Sequence, residues 1–515
     1  MKTGLLRKIL VLCGLPLVAI SLLVIAPTAM GDDPIITANK RPESSGQVAT
    51  RVARAHAPVI QEIRYQATPP LPPADREKNI EEADSMGPAI PVDAAPEPPQ
   101  TPETEIAQMR QPTTVNIVKN ASVFSMPSGY TSLVDEPSVA NNGNTLFYTG
   151  NWYAVRSTNA GGSYTFASPW NDFDNFCCDQ DVIYSPKYKI FLWYRQGVAD
   201  GSGENYFRLG VSNNNGKTWA FYNISPTDTN SDWAGEWWDY PQIGLTDNYL
   251  YICTNMFNAA GDFTRPAILR MPLQGLKQHG SFNYDYMAGE GHSTYTPVMG
   301  ATNTMYWGTH VSNSMLTIYA WPENSTNVTH YDRSVPAYTY LTKNGKCPGP
   351  DKKNWCGRSD SRLLSGWVAN GVIGFMWNAG KSSGFPFPYV NAATFRVSDM
   401  TYIGRPAIWN SKYAFQYAHV APNSAGNLGI SIFFGGGPYY PSHAIGVSTD
   451  GSSWGVLLST AIGTSGPGEP KWGDYVRVRP YMPTSTQQWI ATGFTLQGSS
   501  SGDSIVPRYV IFNSR

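Results

Sequence analysis

The chain has 515 residues, with 37 Lys+Arg against 38 Asp+Glu for a formal charge of −1. That balance excludes a generally basic nucleic-acid binder and an acidic solvating protein. Charged residues make up only 15 %, aromatics 13 %, and 48 Gly with 40 Pro punctuate the chain; this suits an exported all-β protein, not a helical bundle or coiled coil.

Lys2, Arg7 and Lys8 precede an almost unbroken apolar run over 9–25, then Ala29-Met30-Gly31 and Asp32-Asp33. Basic start, apolar run and small-residue site are the layout of a secretory signal. Residues 1–31 are therefore expected to be a signal peptide or an uncleaved N-terminal anchor, because the run nears bilayer-spanning length. The expected location is secreted, periplasmic or at the cell surface. Residues 32–112 carry PESSGQ, ATPPLPPADREKNIEEAD and DAAPEPPQTPETE. So few large apolar groups do not offset chain entropy, which predicts a disordered Pro-rich linker, with room for a short helix near 51–64.

Beyond the signal lie Cys177, Cys178, Cys253, Cys347 and Cys356. Export permits disulfides. Cys347 and Cys356 bracket a polar loop and are placed to staple it. Cys177 and Cys178 are adjacent: either pairs with Cys253, or the two form a vicinal bond, and the odd count leaves one thiol free.

From 113 to 515 the pattern is one of short strands between Gly, Asn and Pro. Seven times a polar or aromatic cluster precedes an apolar strand, a turn and a second apolar strand. Glu136, Gln180, Tyr240, Tyr295, Ser361, Tyr417 and Tyr475 are equivalent anchors, with gaps of 44 to 66 residues and a mean of about 56. That period holds four short strands, the size of a propeller blade. The fold class is all-β, a β-propeller of seven four-stranded blades, with six or eight left open by the uneven gaps. The last anchor leaves too little chain for a full blade, so TTVNIVKN (113–120) is expected to supply its outer strand and close the ring.

Ser212-Asn213-Asn214-Asn215-Gly216-Lys217-Thr218-Trp219 resembles the Asp-box, S-x-D-x-G-x-T-W, with Asn214 in place of Asp. Weaker copies stand at 157–164 and 448–454. A short polar side chain caps a hairpin turn, Gly takes the positive φ and the aromatic packs between sheets. The region from about 120 to 515 thus resembles sialidase-like, Asp-box (BNR-repeat) β-propellers. The resemblance implies the fold; in that family the box is structural and lies away from the active face. The F/Y-R-I-P motif of true sialidases has no counterpart near the first blade, and Arg156 sits beside an Asp-box instead, so the resemblance does not extend to sialidase activity.

In a propeller the loops leading into the innermost strands gather around the axis on one face. Repeat phase alone places Glu136, Asp179, Asp239, Asp474 and His292 there as catalytic candidates, with Arg362, Tyr240, Tyr295, Tyr475 and Trp238 as substrate-binding candidates. Paired carboxylates supply the acid and base of glycoside hydrolysis, rings offer faces to sugars, and Arg362 suits a carboxylate-bearing sugar. A His and a Tyr would alternatively serve a polysaccharide lyase. The competing structural readings are that these acids cap loops or join blades and that the aromatics are core. No cofactor is expected, apart from Ca²⁺ at Asp228, Asp232 and Glu236, where solvated loop acids are the rival reading. The expected function is an exported carbohydrate-active enzyme, hydrolase or lyase, on a complex or acidic glycan. The alternative is a non-catalytic propeller binding glycan or protein at a cell surface. The expected partner is a glycan or cell-surface ligand, not nucleic acid, with membrane contact only through an N-terminal anchor and the chain a monomer.

Overall fold

The computed structural model describes residues 42–71, 90–109, 114–127, 132–289, 293–341, 345–499 and 502–515. The signal or anchor expected over 1–31 lies outside them. Among the described residues the sheets resolve into seven antiparallel meanders, spanning 138–167, 176–224, 236–288, 296–334, 363–404, 414–461 and 478–514. Val115–Ser122 pairs outside Gly502–Ser514, so the last meander is closed by the strand predicted for that role. Meanders 4 and 5 form one continuous sheet through a short parallel pairing of their inner strands. Each inner strand neighbours the next around the sequence of meanders, and the seventh returns to the first. The fold is a β-propeller.

The inner strands are rich in β-branched and aromatic residues and covered on both faces; every residue of Phe176–Ser185 is buried. Aromatics fill the gaps between sheets. Phe147 of meander 1 lies 5.1 Å from Trp193 of meander 2, which meets Trp219 at 5.2 Å. Trp472 stacks on Phe494 at 4.5 Å. Full burial of one such ring corresponds to about 4–6 kcal/mol of gross transfer free energy, so a Trp-rich, charge-poor chain is what this packing requires.

Parts of the segment expected to be a disordered linker (32–112) are a correction: among its described residues, several stretches are strand. Ser44–Ala49 pairs with meander 4, Arg51–Ala55 with meander 3 and Val59–Glu62 with meander 2, each as a fifth, outermost strand. Gln66 bridges Phe166 of meander 1, and Glu105–Ala107 runs parallel to Val456–Ala461 of meander 6. The helix-compatible stretch near 51–64 is therefore strand. Composition misses this belt because main-chain hydrogen bonds hold it: the side chains of Ser44–Ala49 remain mostly exposed. Side chains add local anchors. The Asn313 amide oxygen accepts from the Asp93 and Ala94 amides at 3.0 and 3.3 Å, and the Trp409 indole donates to the Thr101 carbonyl at 2.9 Å.

Cys347 is bonded to Cys356, Cys177 to Cys178, and Cys253 is free and buried. In the turn at 212–219, Ser212 Oγ accepts from the Gly216 amide at 2.9 Å and Asn214 Oδ1 from the Thr218 amide at 2.9 Å. Among the described residues no group of three or more His, Cys, Asp or Glu is placed to hold a metal ion. The Ca²⁺ candidates are committed separately: Asp228 completes a capping box with Ser225, and Glu236 pairs with Arg265 at 2.8 Å.

Candidate active site

Each inner strand begins at one mouth of the central channel, and several begin with a kink. Glu136, Tyr240 and Tyr417 have φ of 48, 56 and 59°, left-handed values that cost a non-glycine residue about 1 kcal/mol or more. At Tyr240 and Tyr417 the kink coincides with a break in strand register, between Asp239 and Gln242 and between Gln416 and His419. Such bulges re-aim side chains. Meander 2 breaks register between Phe176 and Gln180, and the bonded pair Cys177–Cys178 occupies that bulge just before Asp179.

The mouth is acidic. Glu136 is 3 % exposed and Asp179 6 %, and each carboxyl acts on the other. Burial, then the charges of Glu136, Asp239 and Asp474, push the Asp179 carboxyl well above the usual range. Burial and then Asp474 raise Glu136, while Lys471 and hydrogen bonds from Asp179 and Asn151 pull it back. Like charges this close in a dry site resist ionising together, so both carboxyls are pushed toward the protonated form. Glu136 also accepts from the Asp474 backbone amide at 2.8 Å, joining meanders 1 and 7. Asp239 is buried and Asp474 half-buried.

Aromatic and basic groups ring these acids. The Arg362 guanidinium lies 4.1 Å over the Tyr240 ring, and its Nε donates to both Asp360 oxygens at 2.9 and 2.8 Å. The Tyr417 hydroxyl accepts from Ser359 Oγ at 2.7 Å. The Tyr475 hydroxyl donates to the Gln180 carbonyl at 3.2 Å, and its ring meets Tyr240 edge-on at 6.5 Å. Burial raises the phenols of Tyr240, Tyr417 and Tyr475, so all three stay protonated at neutral pH.

The structure thus brings together Glu136, Asp179, Asp239, Asp474, Arg362, Tyr240 and Tyr475. It does not bring Trp238 or Tyr295. Trp238 is fully buried, donates its indole N–H to the Ile224 carbonyl at 3.1 Å and meets Trp233 edge-on. Tyr295 is fully buried against Trp307 and hydrogen-bonds Tyr319 at 3.3 Å. Both are core. His292 lies outside the described residues. The sequence reading left out Asn151 and Lys471. Asn151 follows Thr145–Gly150, and a second strand that runs back from the far mouth must end at this one.

No family model matches the chain, and no curated protein matches it. Among solved structures it is similar to an α-L-arabinofuranosidase from Fusarium graminearum in complex with an iminosugar inhibitor: 11 % identity, 77 % of this chain and 98 % of that one, TM-score 0.38. It is similar to the same degree to a Penicillium chrysogenum α-L-arabinanase complexed with arabinobiose, at 11 % identity, 77 % and 98 % coverage and TM-score 0.38. A sialidase from Streptococcus pneumoniae is similar at 7 % identity, over 62 % of this chain and 67 % of that one, with TM-score 0.36.

Proposed function

We propose that the chain is an exported glycoside hydrolase acting at this mouth. The observation that carries the reading is the gathering of four acids, Glu136, Asp179, Asp239 and Asp474, at one mouth, where burial and the acidic neighbours push the Asp179 carboxyl well above the usual range. Hydrolysis needs a carboxyl that keeps its proton beside another acid. Asp179 donates its proton to the glycosidic oxygen as the bond to the anomeric carbon breaks. Asp239 or Asp474, the other two acids that act on Asp179 in this cluster, takes a proton from the attacking water and then releases it to solvent, from which Asp179 is reprotonated. Tyr240 and Tyr475 offer ring faces and hydroxyls to a sugar. The raised phenols speak against a tyrosinate base, and so against the lyase alternative. Because Arg362 is already paired with Asp360, an acidic sugar is not required. Two disulfides accord with an oxidising compartment, and the apolar run over 9–25 with an export signal.

The low exposure of the same acids favours one second reading, a propeller that binds glycan without cleaving it. The test is the purified chain and its Asp179→Asn variant on a panel of aryl glycosides and polysaccharides, scored for new reducing ends. Turnover lost in the variant supports hydrolysis. Glycan binding with no turnover by the unsubstituted chain supports the second reading and sinks the first.

A further inference from the structure

The hairpins that end the inner strands meet at the opposite mouth of the channel, where they surround a separate cavity of about 530 Å³. That is within the range of small-molecule sites. Ile183, Leu245, Met299, Val368 and Pro422 make its walls largely carbon. Among the described residues no acid lines it, and its one charged residue is Arg479, 3 % exposed. Arg479 shares its counter-ion. Asp181 accepts from Arg477 Nε at 3.0 Å and from Arg479 Nη2 at 2.8 Å, so two buried guanidiniums lean on one carboxylate. The neighbouring His419 adds no third positive charge: burial and the two guanidiniums hold it far below the histidine range.

The remaining N–H groups of Arg479 are poorly served. Its Nε has no partner among the described residues. Its Nη1 faces the Met299 sulfur at 3.1 Å, a weak acceptor on a flexible side chain that itself lines the cavity. A buried cation in excess is costly unless an anion joins it. Several amide side chains in the wall are already engaged. The Asn141 amide holds both the N–H and the carbonyl of Met482, and the Asn423 amide donates to the Gln487 carbonyl at 2.8 Å.

We propose that this mouth is a second binding site, for a small carboxylate on an apolar stem, whose carboxylate takes the place of the Met299 sulfur against Arg479 while the stem fills the carbon-lined cavity. The site is distinct from the acid cluster and stands whether or not that cluster is catalytic. Isothermal titration calorimetry of the full chain with octanoate and with 1-octanol tests it. Octanoate is expected to bind at least about tenfold more tightly than octanol, the worth of one charge-assisted contact. Arg479→Gln is expected to erase that preference, and Ala369→Trp, at the half-buried rim, to weaken both ligands at least about tenfold. No heat with octanoate, equal affinity for acid and alcohol, or undiminished binding in Ala369→Trp would each overturn the proposal. If Arg479→Gln does not fold, as judged by circular dichroism, the acid–alcohol comparison and the rim variant still decide.

Discussion

The buried carboxyls of Asp179 and Glu136 act on one another across the first strands of two neighbouring meanders, and Asp179 is disposed to keep its proton. Glu136 is the largest charged contributor to the raised Asp179 carboxyl. Under the hydrolase reading, activity falls as pH rises through the Asp179 pKa. Glu136→Gln removes a negative charge, lowers that pKa and should move the alkaline limb of the kcat/KM profile to lower pH. An unmoved limb would take Asp179 out of the acid role. Asp179→Asn should lower kcat by at least about 10²-fold.

The same proton has a stability signature. A carboxyl whose folded pKa is raised favours folding at low pH and loses that contribution as pH rises toward the folded value. Asparagine does not titrate. Relative to the unsubstituted chain, Asp179→Asn should therefore gain about 1.4 kcal/mol of stability per pH unit above about pH 4. Urea melts at pH 4, 5, 6 and 7 measure the difference; a constant gap would mean that Asp179 is ionised in the fold.

Two buried histidines act in the opposite sense. Burial lowers His310 and His443 to about 3, so the unfolded chain binds their protons first as pH falls below about 6.5. Stability should drop on acidification by about 1.4 kcal/mol per pH unit for each. His443 hydrogen-bonds Ser431 Oγ at 2.8 Å and Thr460 Oγ1 at 2.6 Å. His443→Gln should cost about 1–3 kcal/mol at pH 7 yet fall less steeply in acid. A slope identical to that of the unsubstituted chain would contradict the assignment.

Asp181 holds the middle of the channel, between Arg477 and Arg479 and with Ser138 Oγ donating to it at 2.7 Å. Asp181→Asn leaves two buried guanidiniums without their shared counter-charge. The expected loss is about 3–5 kcal/mol, read from chemical denaturation; a change below about 1 kcal/mol would show that water screens the pair.

Deleting 42–66 should uncover the outer strands of meanders 2, 3 and 4, which now pair with the belt. Exposed edges template intermolecular pairing. Light scattering should then rise with protein concentration well below the melting temperature of the full chain, and a monodisperse truncated protein would argue against a protective belt.

The recurring period and the phase of its anchors were enough to place Glu136, Asp179, Asp239 and Asp474 at one mouth, because a repeat puts equivalent positions on equivalent ends of strands. Phase did not tell which of two adjacent side chains turns inward. Successive residues on a strand face opposite ways, so Trp238 packs into the core where Asp239 faces the channel, and the register break after Asp239 lets Tyr240 join it. Tyr295 misses the channel for a different reason. It packs against Trp307 and Tyr319 instead, and nothing in its sequence neighbourhood signals that difference. The belt was illegible because backbone pairing leaves no mark on composition.

That belt also constrains the order of assembly. Ser44 pairs with Asp332, and Thr218 with Glu62, so this segment is made well before the strands it pairs with. Contacts this distant form late. The belt should be the last to lock, and pulse-labelling hydrogen exchange during refolding should find the amides of 44–62 gaining protection after those of the inner strands.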